Sequence, residues 1–427
     1  MILIQNGRVL DPKSGLDEVL DVIVRDGRIA GIGKYARGGE FTEVIDAEGC
    51  IVAPGLVDTH VHFRDPGLTY KEDVATGAAS AAAGGYTTVV CMANTKPPLD
   101  DAEALKDLRR RESDLPIHVL NTACVTRGMK GQELADMDAL KAAGAIGFTD
   151  DGLPIKDVKL MMRAMERARE LGVPISLHEE DPDLIGSPGI NQGRVSREVG
   201  VPGAPAVAEE TLMARDCLLA LHTGARVNIQ HLSSGVSVEV LRLMKKLGAD
   251  VWAEVTPQHF SLNEEIVLEK GTLAKVNPPI RTEEDRYQLI RGLKEGVIDI
   301  IATDHAPHAS EEKARDLMDA PSGMIGLETA LALGITNLVR KGHLTLLELL
   351  EKMTTRPAEL YGLSCGSLRE GGDADLVVFD EQERWTVGSR FFSKSSNSPF
   401  TGMTLYGRVK YTLCGGRVVY TDGKDVR

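Results

Sequence analysis

Asp58-Thr-His-Val-His62 follows Pro54-Gly55 and the apolar pair Leu56-Val57. The alternation reads as a β-strand, in which residues i and i+2 share a face. Asp58, His60 and His62 therefore point one way. Two imidazoles about 7 Å apart along a strand can converge on one metal ion, and imidazole suits zinc and its first-row neighbours. Two ligands leave such a centre incomplete, so other strand ends have to deliver the rest.

Outward from that strand, residues 54–356 alternate strand-like and helix-like segments. Strands are expected at 56–62, 87–93, 117–123, 145–150, 174–179, 226–232, 250–256 and 299–303. Amphipathic helices are expected at 102–111, 156–171, 206–222, 236–247 and 283–294. Eight such units predict an α/β fold, a (β/α)8 TIM-like barrel, whose active site sits at the C-terminal ends of its strands. The candidate ligands fall there. His60 and His62 end the first strand, Asp150-Asp151 the fourth, His178 the fifth, His231 the sixth and Asp304 the eighth. A single strand His or Asp is more often a satisfied structural group than a ligand. Their coincidence at the ends of five strands points to a metal centre. His118 opens its strand, and His222 and His343 lie in or after helices, so these three read as surface or packing residues. His259 follows the seventh strand and either role is open to it, whereas His305 reads as an outer partner of the centre.

Both chain ends have a different texture. Residues 1–53 carry short β-branched runs separated by Gly7, Gly27 and Gly33, and residues 357–427 repeat the pattern around Gly371-Gly372 and Gly415-Gly416. Asn6-Gly-Arg-Val-Leu-Asp11 is faintly echoed in Gly415-Gly-Arg-Val-Val-Tyr420. The two ends together predict one small composite β-sandwich domain, 1–53 plus 357–427, clasping a barrel domain at 54–356.

The formal net charge of −14 argues against nucleic-acid or anionic-membrane partners, which are bound through basic patches. No apolar run approaches the roughly 20 residues of a membrane span, and the N-terminus lacks the basic region of a signal peptide; a cytoplasmic protein is expected. The six cysteines contain no Cys-x-x-Cys, so any metal is expected on His and carboxylate. An anionic small molecule would need local cations, and Arg64, two residues after His62, is the first candidate.

Pro54-Gly-Leu-Val-Asp-Thr-His-Val-His-Phe-Arg-Asp-Pro-Gly67, Met92-Ala-Asn-Thr95, Lys275-Val-Asn-Pro-Pro-Ile-Arg281 and Thr303-Asp-His-Ala-Pro-His308 together resemble the bacterial type I dihydroorotases of the amidohydrolase superfamily. The likeness spans essentially the whole chain. It implies reversible interconversion of L-dihydroorotate and N-carbamoyl-L-aspartate in pyrimidine biosynthesis. It further implies two Zn²⁺ per subunit held by His60, His62, Asp151, His178, His231 and Asp304, with Asp151 bridging. Related hydantoinases, dihydropyrimidinases and allantoinases carry a carbamylated Lys at the end of the fourth strand. Here Gly147-Phe-Thr-Asp-Asp-Gly152 holds none. Relatives also commonly have His-His after the Thr-Pro of the seventh strand, where this chain has Gln258-His259.

Two Zn²⁺, two carboxylates and one hydroxide sum to one positive charge, which favours an anionic substrate. Bound water, its pKa lowered towards about 7, supplies the hydroxide nucleophile, and Asp304 acts as general base and then acid. Arg64 offers a planar fork that matches a carboxylate, with the Asn94 amide beside it. By resemblance His62, Asn277, His308 and the backbone of Ser322-Gly323 complete the substrate contacts. The segment 308–323 reads as part of a lid. The resemblance also implies a homodimer and allows association with aspartate transcarbamoylase. Two other readings stay open: a hydantoinase- or allantoinase-like cyclic amidohydrolase, and an inactive structural subunit of such an assembly.

Overall fold

The strand carrying the histidine pair forms as read. In the computed structural model, which describes residues 1–35 and 41–423, Leu56–Val61 is buried along its whole length. It pairs in parallel with Tyr86–Cys91, which pairs with His118–Asn121. A second parallel ladder runs through Ile175–Leu177, Val227–Ile229, Val251–Val255 and Ile300–Ile301. These strands are largely buried, and the polar residues that interrupt their apolar runs, such as Asp58, His60, Asn228 and Glu254, therefore need partners inside the protein.

The expected fourth strand is reduced to Phe148, bridged in parallel to Ala123 on one side and Ile175 on the other. Its neighbour Asp150 gives the reason. The Asp150 carboxylate takes the backbone N–H groups of Val125 and Thr126, at 2.8 and 3.2 Å, in place of a main-chain ladder partner. Across the far edge Val61 bridges His305. The result is a barrel-like α/β body.

Helices cover its outside, each started or stopped by the residue its sequence supplies. Asp157 caps Val158–Glu170, Gly224 in the left-handed conformation ends Val207–Thr223, and Thr282 with Asp285 forms a capping box on Glu283–Lys294. Their apolar faces and the strands share one large core.

The chain ends meet in one hydrogen-bonded sheet of eight strands rather than the two packed sheets of a sandwich. The long strand Leu376–Thr386 causes this: Ile51–Pro54 bonds one edge and Thr404–Cys414 the other, so N- and C-terminal strands belong to one ladder. A separate cluster including Ile4, Val22, Val52 and Val378 fills its inner face. Between the last long strands, residues 390–400 leave the sheet and return to the strand ends of the barrel-like body, where Asn397 bonds Ala306 and Gly323. Among the described residues no helix is long and apolar enough to cross a membrane.

Candidate active site

Five strand ends deliver their side chains to one buried cluster. Asp151 lies at its middle, and two triads share it: His60, His62 and Asp151, and Asp151, His178 and His231. Asp151 Oδ1 is 3.7 Å from His60 Nε2, 3.7 Å from His178 Nδ1 and 3.9 Å from His231 Nε2. Its Oδ2 is 3.5 Å from His62 Nε2. These separations are too long for hydrogen bonds. They approach the spacing of about 3.3–3.5 Å that two ligands keep when each lies 2.0–2.1 Å from a tetrahedral cation. Asp151 Oδ1 is buried without any hydrogen-bond partner, a costly condition that a cation relieves. The donor set and its spacing therefore fit divalent metal. Asp304 joins from the eighth strand, with Oδ1 3.0 Å from His62 Nε2 and 3.5 Å from His60 Nε2.

Three of the four rings have their outward nitrogen fixed, which aims the other at the cluster. His60 Nδ1 meets Glu254 Oε1 at 2.5 Å, His62 Nδ1 meets Asn94 Oδ1 at 2.9 Å, and His178 Nε2 meets Glu180 Oε2 at 3.0 Å. The sequence reading missed Glu254 and Glu180. A usable signal existed for Glu254: a lone carboxylate inside the buried strand Val251-Trp-Ala-Glu-Val255 needs an internal partner. Asp150 turns away to Val125 and Thr126, as a regular alternation requires. Gln258 and His259 also stand outside the cluster, Gln258 Nε2 bonding the Thr303 carbonyl and His259 Nε2 the Pro278 carbonyl. His305 packs behind, its Nε2 3.4 Å from Glu72 Oε2.

Burial works against charge on His60 and His178, yet the surrounding carboxylates prevail and raise both, His178 to about 10. His231 goes the other way, pushed well down by burial and by the neighbouring His178 and His60 rings. Asp151 is held well below the usual carboxylate range: burial opposes this, and the rings around it outweigh burial.

The expected substrate contacts form one wall of the site but are not equally free. Arg64 Nε donates to the Pro307 carbonyl at 3.3 Å, and its side chain stays part-exposed at the rim. Asn94 is occupied at both ends, accepting from His62 and donating to Asp151 Oδ2 at 2.9 Å. His308 Nε2 donates to the Ser322 carbonyl at 2.8 Å and Nδ1 accepts from Lys71 at 3.2 Å. Burial, with Arg64 and Lys71 close by, lowers the His308 ring to about 2, so it is neutral. Asn277 Oδ1 is buried and unpartnered, and Asn277 lines a cleft of about 460 Å³ together with His178, Glu180 and Pro188. Ser322 and Gly323 border the same region, and a Cβ on Gly323 would sit 2.9 Å from His308 Nε2. Arg64, His231 and Asp304 have φ of 59°, 34° and 50°. Non-glycine residues seldom adopt this left-handed region, and such strain collects at functional sites.

A carboxylate-centred histidine cluster at the strand ends of a barrel-like α/β body defines a metal-dependent amide hydrolase. An amidohydrolase family model matches residues 51–419. The dihydroorotase of Clostridioides difficile is 57% identical over 420 residues, 98% of this chain and 100% of that protein. The dihydroorotase of Lactococcus lactis is 53% identical over 419 residues, 98% and 99% of the two chains. Among solved structures, the L-hydantoinase (dihydropyrimidinase) of Arthrobacter aurescens superposes with a TM-score of 0.89 at 28% identity, covering 100% of this chain and 97% of that one. The chain belongs to the amidohydrolase family and, within it, to the dihydroorotases.

Proposed function

We propose that this protein is a cytoplasmic dihydroorotase that opens L-dihydroorotate to N-carbamoyl-L-aspartate and closes it again in pyrimidine biosynthesis. Two zinc ions per subunit would lie between His60, His62, His178, His231 and Asp304, with Asp151 shared, in a closed (β/α)8 barrel. The observation that supports this chemistry is Asp151 Oδ1, buried, unpartnered and 3.7–3.9 Å from three imidazole nitrogens. The substrate follows from the dihydroorotase relatives, whose identity extends over nearly the whole chain.

A divalent cation held by these residues would supply an acidified water and Lewis-acid polarisation of the carbonyl under attack. The residues do the rest. Asp304, fixed by its strand end beside His62 and His60, accepts the proton of the attacking water and hands it to the departing amide nitrogen. In ring closure the same carboxyl starts protonated and the transfers reverse. Arg64 receives the substrate carboxylate, because its fork stays partly free where the other nearby donors are engaged. Neutral His308, tethered to Ser322 and Lys71, shapes that wall without adding charge.

A hydantoinase-like activity is the second reading, favoured by the Arthrobacter superposition. Hydrolysis of L-dihydroorotate, with metal content determined on the same sample for wild type and Asp304→Ala, tests both. Metal-dependent turnover that disappears in Asp304→Ala while most metal stays bound is the expected result. A metal-loaded wild type that ignores dihydroorotate but opens hydantoin or dihydrouracil overturns the substrate assignment and leaves the hydrolase.

A further inference from the structure

A second group of metal-binding side chains meets at the other end of the parallel strands, away from the catalytic cluster. His118 opens the strand His118–Asn121, Asp375 immediately precedes Leu376–Thr386 and Cys414 ends Thr404–Cys414. One ligand atom from each lies within 4.8 Å of the others. His118 Nε2 is 3.1 Å from Asp375 Oδ2. Asp375 Oδ1 accepts from the Gly415 amide at 2.8 Å, which turns the second oxygen toward the ring. Asp375 and Cys414 are buried, while the His118 side chain is 50% exposed and leaves a route from solvent. Cys365 lies nearby: burial raises its thiol to about 11, opposed by a hydrogen bond with Thr88 and reinforced more weakly by Asp375 and Cys414.

We propose that His118, Asp375 and Cys414 form a second metal site, for zinc or a similar borderline-soft divalent cation, which ties the terminal sheet to the barrel-like body. An imidazole nitrogen, a carboxylate oxygen and a thiolate sulfur make a donor set that zinc accepts at about 2.0–2.3 Å. Ligands at such bond lengths stand about 3.3–3.8 Å apart, so closure requires shifts of an ångström or so. Charge balances as well. The cation displaces the thiol proton of Cys414 and any proton on His118, and one carboxylate with one thiolate neutralises its two positive charges, as a half-buried site requires. The fourth position falls to solvent. The site's role is structural, because it fastens segments 257 residues apart in the chain and lies away from the strand ends where the reaction occurs.

Cobalt(II) titrated into the metal-stripped full-length protein tests this by absorption. Neither triad of the catalytic cluster contains a thiol, so a thiolate-to-cobalt charge-transfer band in the near ultraviolet reports the second site alone. Wild type should develop that band. Cys414→Ser should lose it, and His118→Ala should weaken the affinity behind it by more than about tenfold, the loss that even outer partners of a ligand produce. Cys365→Ser should keep it. His118→Ala alters a half-exposed side chain and keeps the test decisive if Cys414→Ser does not fold. Absence of the band in wild type at saturating cobalt, its persistence in Cys414→Ser, or an unchanged titration in His118→Ala overturns the proposal.

Discussion

Glu254 Oε1 and His60 Nδ1 lie 2.5 Å apart beneath the catalytic cluster, and neither side chain reaches solvent. The other Glu254 oxygen accepts from Thr59 Oγ1 at 2.9 Å and Asn228 Nδ2 at 3.2 Å, so the carboxylate cannot turn away from the ring. It holds the His60 Nδ1 proton and leaves Nε2 free to face Asp151. Glu254→Gln preserves the volume but weakens the acceptor. Metal affinity, read by competition with a chromogenic chelator, should fall by roughly 10–100-fold, and activity should return when excess metal is supplied. Unchanged affinity would mean that packing alone orients the ring.

Asn94 should behave differently from a pure substrate contact. Its amide spans His62 Nδ1 and Asp151 Oδ2, so Asn94→Ala releases two proposed ligands together. The expected outcome is lower metal content per subunit together with a raised KM. A variant with full metal and only a raised KM would return Asn94 to the substrate wall alone.

How far the sequence carried depended on whether the signal was local. The Asp-x-His-x-His strand and the helix Glu283–Lys294 were readable because period and caps sit in a few neighbouring residues. The fourth strand misled because an apolar run says nothing about a following carboxylate that captures the next strand's amides. The placement of the proposed ligands at strand ends follows from the fold, whereas their partners do not. Glu254, Glu180 and the two-sided role of Asn94 depend on which side chains the ring of strands brings together. Asn397 was beyond any local pattern, since its side chain accepts from the backbone amide of His308, 89 residues earlier.

Arg64 should separate binding from chemistry. It is the cation at the rim whose fork is not spent on a carboxylate, and its nearest acceptor is the Pro307 carbonyl. Loss of a charge-assisted bidentate contact costs about 1.5–3 kcal/mol, which corresponds to roughly a 10–100-fold rise in KM for dihydroorotate. Arg64→Ala should show that rise with metal content intact, and Arg64→Lys should recover only part of it, because a point charge does not reproduce the fork. An unchanged KM in Arg64→Ala would remove the carboxylate clamp from this residue.

The segment 308–323 is held by two buried lysines as well as by Glu312, and one of those lysines gives it a pH dependence. Lys275 Nζ donates to the Leu317 and Ala320 carbonyls, each at 2.7 Å. Lys313 Nζ donates to Pro321 and Gly323, at 2.9 and 3.0 Å. Burial, reinforced by Lys275 and opposed by Glu312, lowers the Lys313 amine to about 7, against about 10.4 for an unfolded lysine. Between those two values the unfolded chain binds the additional proton. Folding stability therefore rises with pH across that window, and the gain is absent below about 7. Replacing Lys313 with Met removes the titration along with the two donors. The thermal midpoint of wild type relative to Lys313→Met should climb from pH 7 to pH 9.5. At up to about 1.4 kcal/mol per pH unit, the climb is on the order of 1–2 °C per unit for a chain of this length. A difference that stays flat with pH would show that Lys313 keeps its proton and an ordinary affinity for it, and that the carbonyl cage around it does not close in solution.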